Sequence, residues 1–299
     1  MNNGLQRLVV ELDKERSLLE PDRLRERMEA LDRLDAYFPD GAEAGYGAES
    51  NAAELYRRAR EIRERLEAVN CQIYDAIRGE IRRGERSESL MRWARGTEEI
   101  EAGAGAGNGM GYDFLDELIA GVFQFEESKD SNEPTGGAAE REPEMVFYQP
   151  TPARHIFSLI GLTALTAYDV FVDLGSGLGH VPMLVSACTG ARCIGIELDA
   201  IYVEHARQCA RRLNLERVTF IQQDARAADL SGGTVFYLYT PFTGGILRSV
   251  LDNLKREAAT RPIRICTYGP CTSVVADEAG LEAGSTLEMN RITLFRSRA

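Results

Sequence analysis

Apolar residues recur at three- and four-residue steps along the first third of the chain, which is the spacing of one face of a helix. This spacing predicts helices over residues 5 to 38, with a break at Pro21, over about 51 to 83, and over 86 to 95. Leucine and isoleucine form the apolar face, while arginine and glutamate fill most other positions. We therefore expect residues 1 to 100 to form a helical domain.

Glycine-rich sequence interrupts this pattern. Residues 101 to 144 contain EAGAGAGNGMG and a second polar stretch, a composition that predicts a flexible linker. Between the two stretches, residues 112 to 127 regain an apolar helical face. This helix is either a lid over a site or part of the packing of the helical domain. As a lid it would point Tyr112, Phe114 or Phe123 into the pocket.

Short apolar runs alternate with helical patterns over residues 145 to 299. The runs cover 169 to 175, 192 to 198, 218 to 224, 234 to 242, 263 to 269 and 287 to 297. Because parallel strands need crossover connections, this alternation predicts an α/β fold with a doubly wound, mostly parallel sheet, preceded by an N-terminal α-helical region. Ligands of such sheets bind at the carboxyl ends of the strands.

The charge is uneven along the chain. Residues 1 to 144 hold 20 Lys and Arg against 33 Asp and Glu, and the remainder holds 15 against 14. Such an acidic segment is either a solvated helix face or a surface for a basic partner, and it repels phosphate backbones. We expect a small molecule or a basic protein as substrate and no nucleic acid. The oligomeric state is not predicted.

Two further classes are disfavoured by the sequence. No apolar stretch approaches the ~20 residues that span a bilayer, and the first residues lack the layout of a signal peptide. We therefore expect no membrane partner and a cytoplasmic protein. The six cysteines show no C-x-x-C spacing, so we expect no metal site.

A glycine-rich turn follows the first apolar run, in the sequence VFVDLGSGLGHVP over residues 170 to 182. Glycine allows a ligand to approach the main chain closely. The dinucleotide fingerprint is G-x-G-x-x-G, and here His180 occupies the place of its third glycine. The turn therefore fits a nucleoside ligand without a pyrophosphate better than a dinucleotide.

Acidic residues end the next two runs. Glu197 is placed to accept hydrogen bonds from a ribose diol, and Asp224 is placed to contact a purine edge. The structural alternative is that each acid only caps the helix after it.

At this point the C-terminal half resembles the class I S-adenosylmethionine-dependent methyltransferases. VDLGSGLG, GIELD and QQDARAADL are similar to their first three motifs, and YLYTPF to their fourth. The resemblance implies methyl transfer, S-adenosylmethionine as cofactor and a final antiparallel hairpin in TLEMNRITLFRS. It also implies these contacts: Gly175, Gly177 and Gly179 beside the methionine and ribose, Asp173 near the amino group, Glu197 at the ribose hydroxyls, and Asp224 with Ala225 beside adenine.

The segment MVFYQPTPARHIF resembles the part of Dot1-type lysine methyltransferases that folds over the methionine end of the cofactor. By this resemblance Tyr148, Thr151 and Pro152 are site candidates, although Thr151 and Pro152 also form a good helix start. Tyr239 stands where family members that methylate amino groups of bases or glutamine have Asn or Asp. Tyr239, Tyr148 and His180 are the candidate catalytic residues.

The sequence thus predicts a methyltransferase whose acceptor is unknown, with a protein side chain slightly favoured over a small molecule. The alternative is a non-catalytic module that binds S-adenosylmethionine or S-adenosylhomocysteine and regulates a partner.

Overall fold

The computed structural model describes residues 2–38, 51–103, 113–125, 144–146, 148–284 and 287–298. Tyr112 and most of the predicted linker lie outside these residues. Contacts divide the chain into two compact units, residues 1–77 and 78–299. Across the part of the chain that is described, no helix is both long and apolar enough to cross a membrane. In that part, no group of three or more His, Cys, Asp or Glu residues could hold a metal ion.

The first unit is helical, as predicted. It holds α1 (Asn2–Lys14), α2 (Leu24–Asp35) and the larger part of α3 (Asn51–Arg82), with Pro21 in a turn before α2. Leucine and isoleucine side chains of the three helices form its apolar core. The guanidinium of Arg27 is fully buried, and it donates to Asn70 Oδ1 at 2.6 Å and to the carbonyl of Leu18 at 2.7 Å.

In the described part of the second unit, three helices lie between α3 and the sheet: α4 (Glu88–Gly103), α5 (Phe114–Phe123) and α6 (Ala153–Thr163). The division into units falls inside α3, earlier than the boundary expected near residue 100. The reason is that α4 packs against α6 and against the helix that follows the first strand. Just before α4, the backbone N–H of Ser87 donates to the carbonyl of Ala187 in that later helix at 2.9 Å.

Seven strands form one sheet in the order β3-β2-β1-β4-β5-β7-β6. Their bounds are β1 Val170–Leu174, β2 Arg192–Glu197, β3 Val218–Gln222, β4 Val235–Leu238, β5 Arg264–Thr267, β6 Leu281–Ala283 and β7 Thr293–Ser297. Strands β1 to β5 are parallel, and β7 is antiparallel to both β5 and β6. The predicted fold class is therefore confirmed. The last two strands form an antiparallel pair, but only β7 lies in TLEMNRITLFRS, where the whole hairpin was expected, because its partner β6 precedes that sequence.

The connections on the sheet are α7 (His180–Thr189), α8 (Ala200–Arg212), α9 (Gly244–Ala258) and α10 (Cys271–Ala276). The strand order reverses at β1, which pairs with β2 on one side and β4 on the other. Loops leaving β1 and β4 therefore run in opposite directions and open a crevice at the carboxyl ends of these strands. Every predicted motif lies at this edge of the sheet.

Candidate functional site

A cleft of about 830 Å³ lies at the carboxyl ends of β2, β1 and β4, within the size range of small-molecule sites. Seven of the predicted site residues line it: Tyr148, Thr151, Asp173, Gly175, His180, Glu197 and Tyr239. Five do not: Pro152, Gly177, Gly179, Asp224 and Ala225. The structure thus brings together residues from four separate sequence motifs.

The glycine turn forms the floor of the cleft and depends on glycine at two positions. Gly175 has φ +87°, and a Cβ there would lie 2.3 Å from Pro241 Cβ. Gly177 has φ +50°, and a Cβ there would lie 2.0 Å from Tyr148 Cε2. Only glycine tolerates both the left-handed backbone conformation and the short distances to these neighbours. The absence of side chains at these two positions lets the loop after β4 and the ring of Tyr148 contact the main chain of the turn.

Asp173, in β1, is a buried carboxyl group that faces the cleft. It makes no hydrogen bond with the residues that the structure describes. Burial, together with the negative charge of Glu197, raises the pKa of Asp173 well above its ordinary value. An unpaired carboxylate is costly to bury, so this position favours a cationic or hydrogen-bond-donating ligand.

Ser176 supplies a second unsatisfied polar group in the same turn. Its Oγ is buried and has no hydrogen-bond partner among the described residues, although the residue itself lines the cleft. The Oγ is directed toward β2, because a Cβ on Gly195 would lie 2.6 Å from it. Buried hydroxyl groups nearly always have a partner.

Glu197, at the end of β2, is held by backbone groups on two loops. Its Oε2 accepts from the N–H of Gly177 at 2.9 Å, and its Oε1 accepts from Leu198 at 2.7 Å and Asp199 at 2.9 Å. A carboxylate has about four acceptor positions, so three are used within the protein. Glu197 therefore joins the turn after β1 to the turn after β2.

Residues 144–146 and 148–152 cross the cleft, and we refer to them as the strap. Glu144 accepts from the N–H of Ile246 at 2.9 Å, at the start of α9, and Val146 N–H donates to the carbonyl of Pro241 at 3.2 Å. Further along, Thr151 Oγ1 lies 3.0 Å from the hydroxyl of Tyr237. The strap is thereby fixed to the loop after β4 and to β4 itself.

The predicted helix start at Thr151 and Pro152 is wrong in detail. Helix α6 begins at Ala153, and Pro152 occupies its N-cap position without a side-chain hydrogen bond. Asp116 of α5 performs the capping, because its Oδ1 accepts from the N–H of Ala153 at 2.7 Å. Thr151 instead turns its hydroxyl toward the buried Tyr237.

Tyr148 and His180 form a pair at one side of the cleft. The hydroxyl of Tyr148 lies 2.8 Å from Nδ1 of His180, the first residue of α7. Burial lowers the pKa of His180 to about 3, so its imidazole is neutral near pH 7. Its ring packs on Phe125 with centroids 3.6 Å apart.

Aromatic side chains form the opposite side, beyond β4. Tyr239 lines the cleft and packs on Tyr268 with centroids 4.6 Å apart, and Tyr268 packs on His155 at 4.5 Å. Burial raises the pKa of Tyr239 and raises that of Tyr237 well above its ordinary value. Both phenols therefore stay protonated at neutral pH.

Asp224 lies outside the cleft, after β3. It caps a single 3-10 turn by accepting from Arg226 N–H at 2.8 Å, and it pairs with the Arg226 guanidinium at 2.7 Å. Hydrogen bonds from Arg226 lower the pKa of Asp224. Ala225 is the first residue of that turn. The capping role that the sequence left open for this acid is the one observed.

Helix α5 packs beside the strap through Asp116, but its aromatic residues do not line the cleft. Phe114 packs edge-on against Trp93 at 6.5 Å, and Phe123 is buried and stacked on Phe125 at 5.5 Å. The expectation that either ring faces the pocket is therefore wrong. The apolar face of the helix is used for packing within the second unit.

Several lining residues were not predicted, namely Ser176, Asp199, Tyr202 and Tyr237. Asp199 carries a sequence signal, since it is the N-cap of α8 and accepts from Ile201 N–H at 2.8 Å. Ser176 lies within the recognised glycine turn. Tyr237 and Tyr202 are ordinary strand and helix residues, and only the fold brings them to the cleft.

One family model matches the part of the chain that holds the first three motifs. Residues 146–228, from the strap to just after β3, match the family model described as "Histone methylation protein DOT1". The resemblance to class I S-adenosylmethionine-dependent methyltransferases, with a Dot1-like segment, is confirmed. No curated protein matches the sequence.

Three solved structures illustrate what this chain is similar to. An RNA methyltransferase from Salinibacter ruber in complex with S-adenosyl-L-homocysteine is 26% identical over 50% of this chain and 92% of that one, with a TM-score of 0.42. A precorrin-6y methyltransferase from Geobacter metallireducens is 16% identical over 52% and 93%, with a TM-score of 0.39. A mutant of MtNAS in complex with S-adenosylmethionine is 13% identical over 99% and 97%, with a TM-score of 0.39.

Proposed function

We propose that the cleft binds S-adenosylmethionine and that the protein transfers its methyl group to an acceptor. The observation that carries this proposal is the buried Asp173 carboxylate, which faces the cleft without a hydrogen-bond partner among the described residues. The ammonium group of the cofactor's methionine part would supply the missing charge and donors.

The charge of the cleft favours the same ligand. Asp173, Glu197 and Asp199 line it, and the described lining residues include no lysine or arginine. A pyrophosphate would meet only negative charge there, whereas a ligand with a sulfonium and an ammonium meets complementary charge. This distinction supports S-adenosylmethionine over a nicotinamide dinucleotide.

The cofactor contacts follow from the positions of the lining groups. Asp173 would hold the methionine part, and Glu197 would accept from one ribose hydroxyl with its remaining acceptor position. Pro152, Asp224 and Ala225 lie outside the described cleft lining, so the adenine contact proposed for the last two requires a ligand that extends beyond it.

The bound cofactor supplies an activated methyl group on sulfur, so the protein needs no nucleophile of its own. Its residues bind and orient the cofactor and the acceptor, and they exclude water. This is enough because an in-line displacement depends chiefly on the placement of the two reactants. Tyr239 and Pro241 lie at the end of β4, next to β1, and would form the wall against which the acceptor sits. The phenol of Tyr239 and the ring of Pro241 are suited to orienting the acceptor, not to removing a proton from it.

For the acceptor we keep the preference that the sequence indicated, a protein side chain ahead of a small molecule. The acidic character of residues 1 to 144 favours a basic polypeptide and disfavours nucleic acid. The Dot1 match covers the cofactor-binding half and leaves the fourth motif unmatched, so the acceptor does not follow from it.

A non-catalytic cofactor-binding module is the second candidate. It is favoured by Tyr239, which replaces the amide or carboxylate of many amine-methylating relatives, and by the raised pKa that keeps this phenol protonated. Such a module would bind the cofactor as tightly as an enzyme and form no product.

Label transfer separates the two candidates. Purified protein is incubated with methyl-labelled S-adenosylmethionine and fractions of a cell lysate, with Asp173→Asn protein as the matched control. We expect label on a protein or small-molecule fraction that is lost with the variant. Binding of cofactor without any labelled product would contradict catalysis and favour the module.

A further inference from the structure

A row of aromatic rings connects helix α5 to the cofactor cleft. Phe123 stacks on Phe125 at 5.5 Å, and Phe125 packs on His180 at 3.6 Å. His180 contacts the hydroxyl of Tyr148 at 2.8 Å, and Tyr148 packs on Tyr202 at 5.2 Å. Tyr148, His180 and Tyr202 line the cleft, whereas the two phenylalanines do not.

The Tyr148 ring packs closely on the glycine turn. It lies so close over Gly177 that a Cβ on that residue would be 2.0 Å from Cε2. Residues 148–152 of the strap form neither helix nor strand. The hydrogen bond to His180 therefore ties the ring at its outer end to the rigid start of α7.

The imidazole of His180 is suited to holding this ring and poorly suited to accepting a proton in catalysis. A neutral imidazole has one donor and one acceptor nitrogen, so either tautomer makes one hydrogen bond with a phenol. A pKa of about 3 is too low for a general base near pH 7. Phe125 covers the ring from outside and keeps it in this buried state.

We propose that His180 is a positioning residue: it holds Tyr148 over the glycine turn as a wall of the cofactor pocket, and Phe125 couples helix α5 to that wall. This inference rests on the proposed cofactor site and assigns His180 a role in binding, not in the chemical step. A general base would act only in methyl transfer and leave cofactor affinity unchanged.

A double-mutant cycle tests the coupling. Binding of S-adenosylhomocysteine is measured by calorimetry for wild type, Tyr148→Phe, His180→Leu and the double variant. His180→Asn keeps a polar group close to the position of Nδ1 and is the rescuing variant. Tyr168→Phe, at a residue that is 95% exposed, is the control for removal of a phenol hydroxyl. Thermal unfolding checks that each variant is folded.

We expect each single variant to weaken binding by roughly threefold to tenfold, the value of one ordinary hydrogen bond. The double variant should bind no more weakly than the weaker single one, and His180→Asn should recover most of the affinity. Multiplying effects in the double variant, or wild-type affinity in His180→Leu, would overturn the inference. Absence of binding by wild type would instead overturn the proposed function.

Discussion

The carboxylate of Glu197 accepts a hydrogen bond from the backbone N–H of Gly177 at 2.9 Å, which links the ends of two neighbouring strands. The same carboxylate also accepts from Leu198 and Asp199. Glu197 therefore shapes the cleft floor in the protein itself, in addition to the ribose contact that we propose. Structure and ligand binding depend on one side chain.

Substitution of Glu197 by Gln should thus affect both stability and binding. A carboxamide has one acceptor oxygen where the carboxylate has two, so at least one backbone N–H loses its partner. We expect the free energy of unfolding to fall by about 1 to 3 kcal/mol and the affinity for S-adenosylhomocysteine to fall by a further ~1.5 to 3 kcal/mol. Urea unfolding and calorimetry measure the two effects.

Glu282→Gln, at an exposed position on β6, is the control and should change neither quantity. Unchanged stability in Glu197→Gln would mean that the backbone hydrogen bonds contribute little. Unchanged affinity would move the ribose contact to another residue.

We expect His155 to make the stability of the second unit depend on pH. Its ring is buried, its Nε2 has no hydrogen-bond partner among the described residues, and burial lowers its pKa from 6.5 to about 4. Between these values the unfolded chain binds more protons than the folded one. The contribution of His155 to stability is therefore complete above pH 6.5 and is lost as pH falls toward 4, by up to about 3 kcal/mol.

The variant His155→Phe should remove the contribution of His155 to the pH dependence of stability and keep the ring contact with Tyr268. Urea unfolding of the variant at pH 7 should match or exceed wild type, with a shallower fall toward pH 4.5. His205→Phe on α8 is the control for replacement of an imidazole. A variant that loses stability as steeply as wild type would place the acid sensitivity elsewhere.

Gly175 should tolerate no side chain. Alanine there combines φ +87° with a Cβ 2.3 Å from Pro241, so we expect a loss of more than about 1 kcal/mol in stability and no measurable cofactor binding. Gly161→Ala is the matched control, because a Cβ there meets nothing within 4 Å in helix α6. It should gain about 0.5 to 1 kcal/mol. Equal behaviour of the two variants would contradict the close-packed turn.

Helix α5 should behave as part of the scaffold. Its buried face and the hydrogen bond that Ala153 N–H donates to Asp116 predict slow amide exchange over residues 117–123 without ligand. S-adenosylhomocysteine should leave this exchange unchanged and slow the amides of strap residues 148 and 149. Fast exchange in α5 that ligand suppresses would instead identify a lid, the alternative that the sequence raised.

The parallel direction of the strands and the position of the site follow from local sequence patterns. Apolar runs separated by helical spacing specify parallel strands, and the turn after β1 is marked by its glycines. Strand β6 was missed because three residues are too few for a recognisable period. The start of α6 was misassigned because its cap, Asp116, lies on another helix, and capping rules consider only neighbouring residues.

Side-chain contacts between distant segments could not be predicted from the sequence either. Tyr148 and His180 were both named as candidates, yet nothing in their spacing shows that they form a pair. Asp224 has the strand-end position of a ligand contact, but Arg226 two residues later pairs with it. Such contacts depend on how loops from different strands meet at one edge of the sheet.

Calorimetric titration of wild-type protein with S-adenosylhomocysteine and with NAD tests the central claim most directly. The acidic cleft and the partnerless Asp173 predict binding of the first ligand and none of the second. S-adenosylmethionine should bind as well, and Asp173→Asn should weaken its binding by about tenfold or more, the loss of a hydrogen bond to a charged group. Tighter binding of NAD, or unchanged affinity in the variant, would contradict the account.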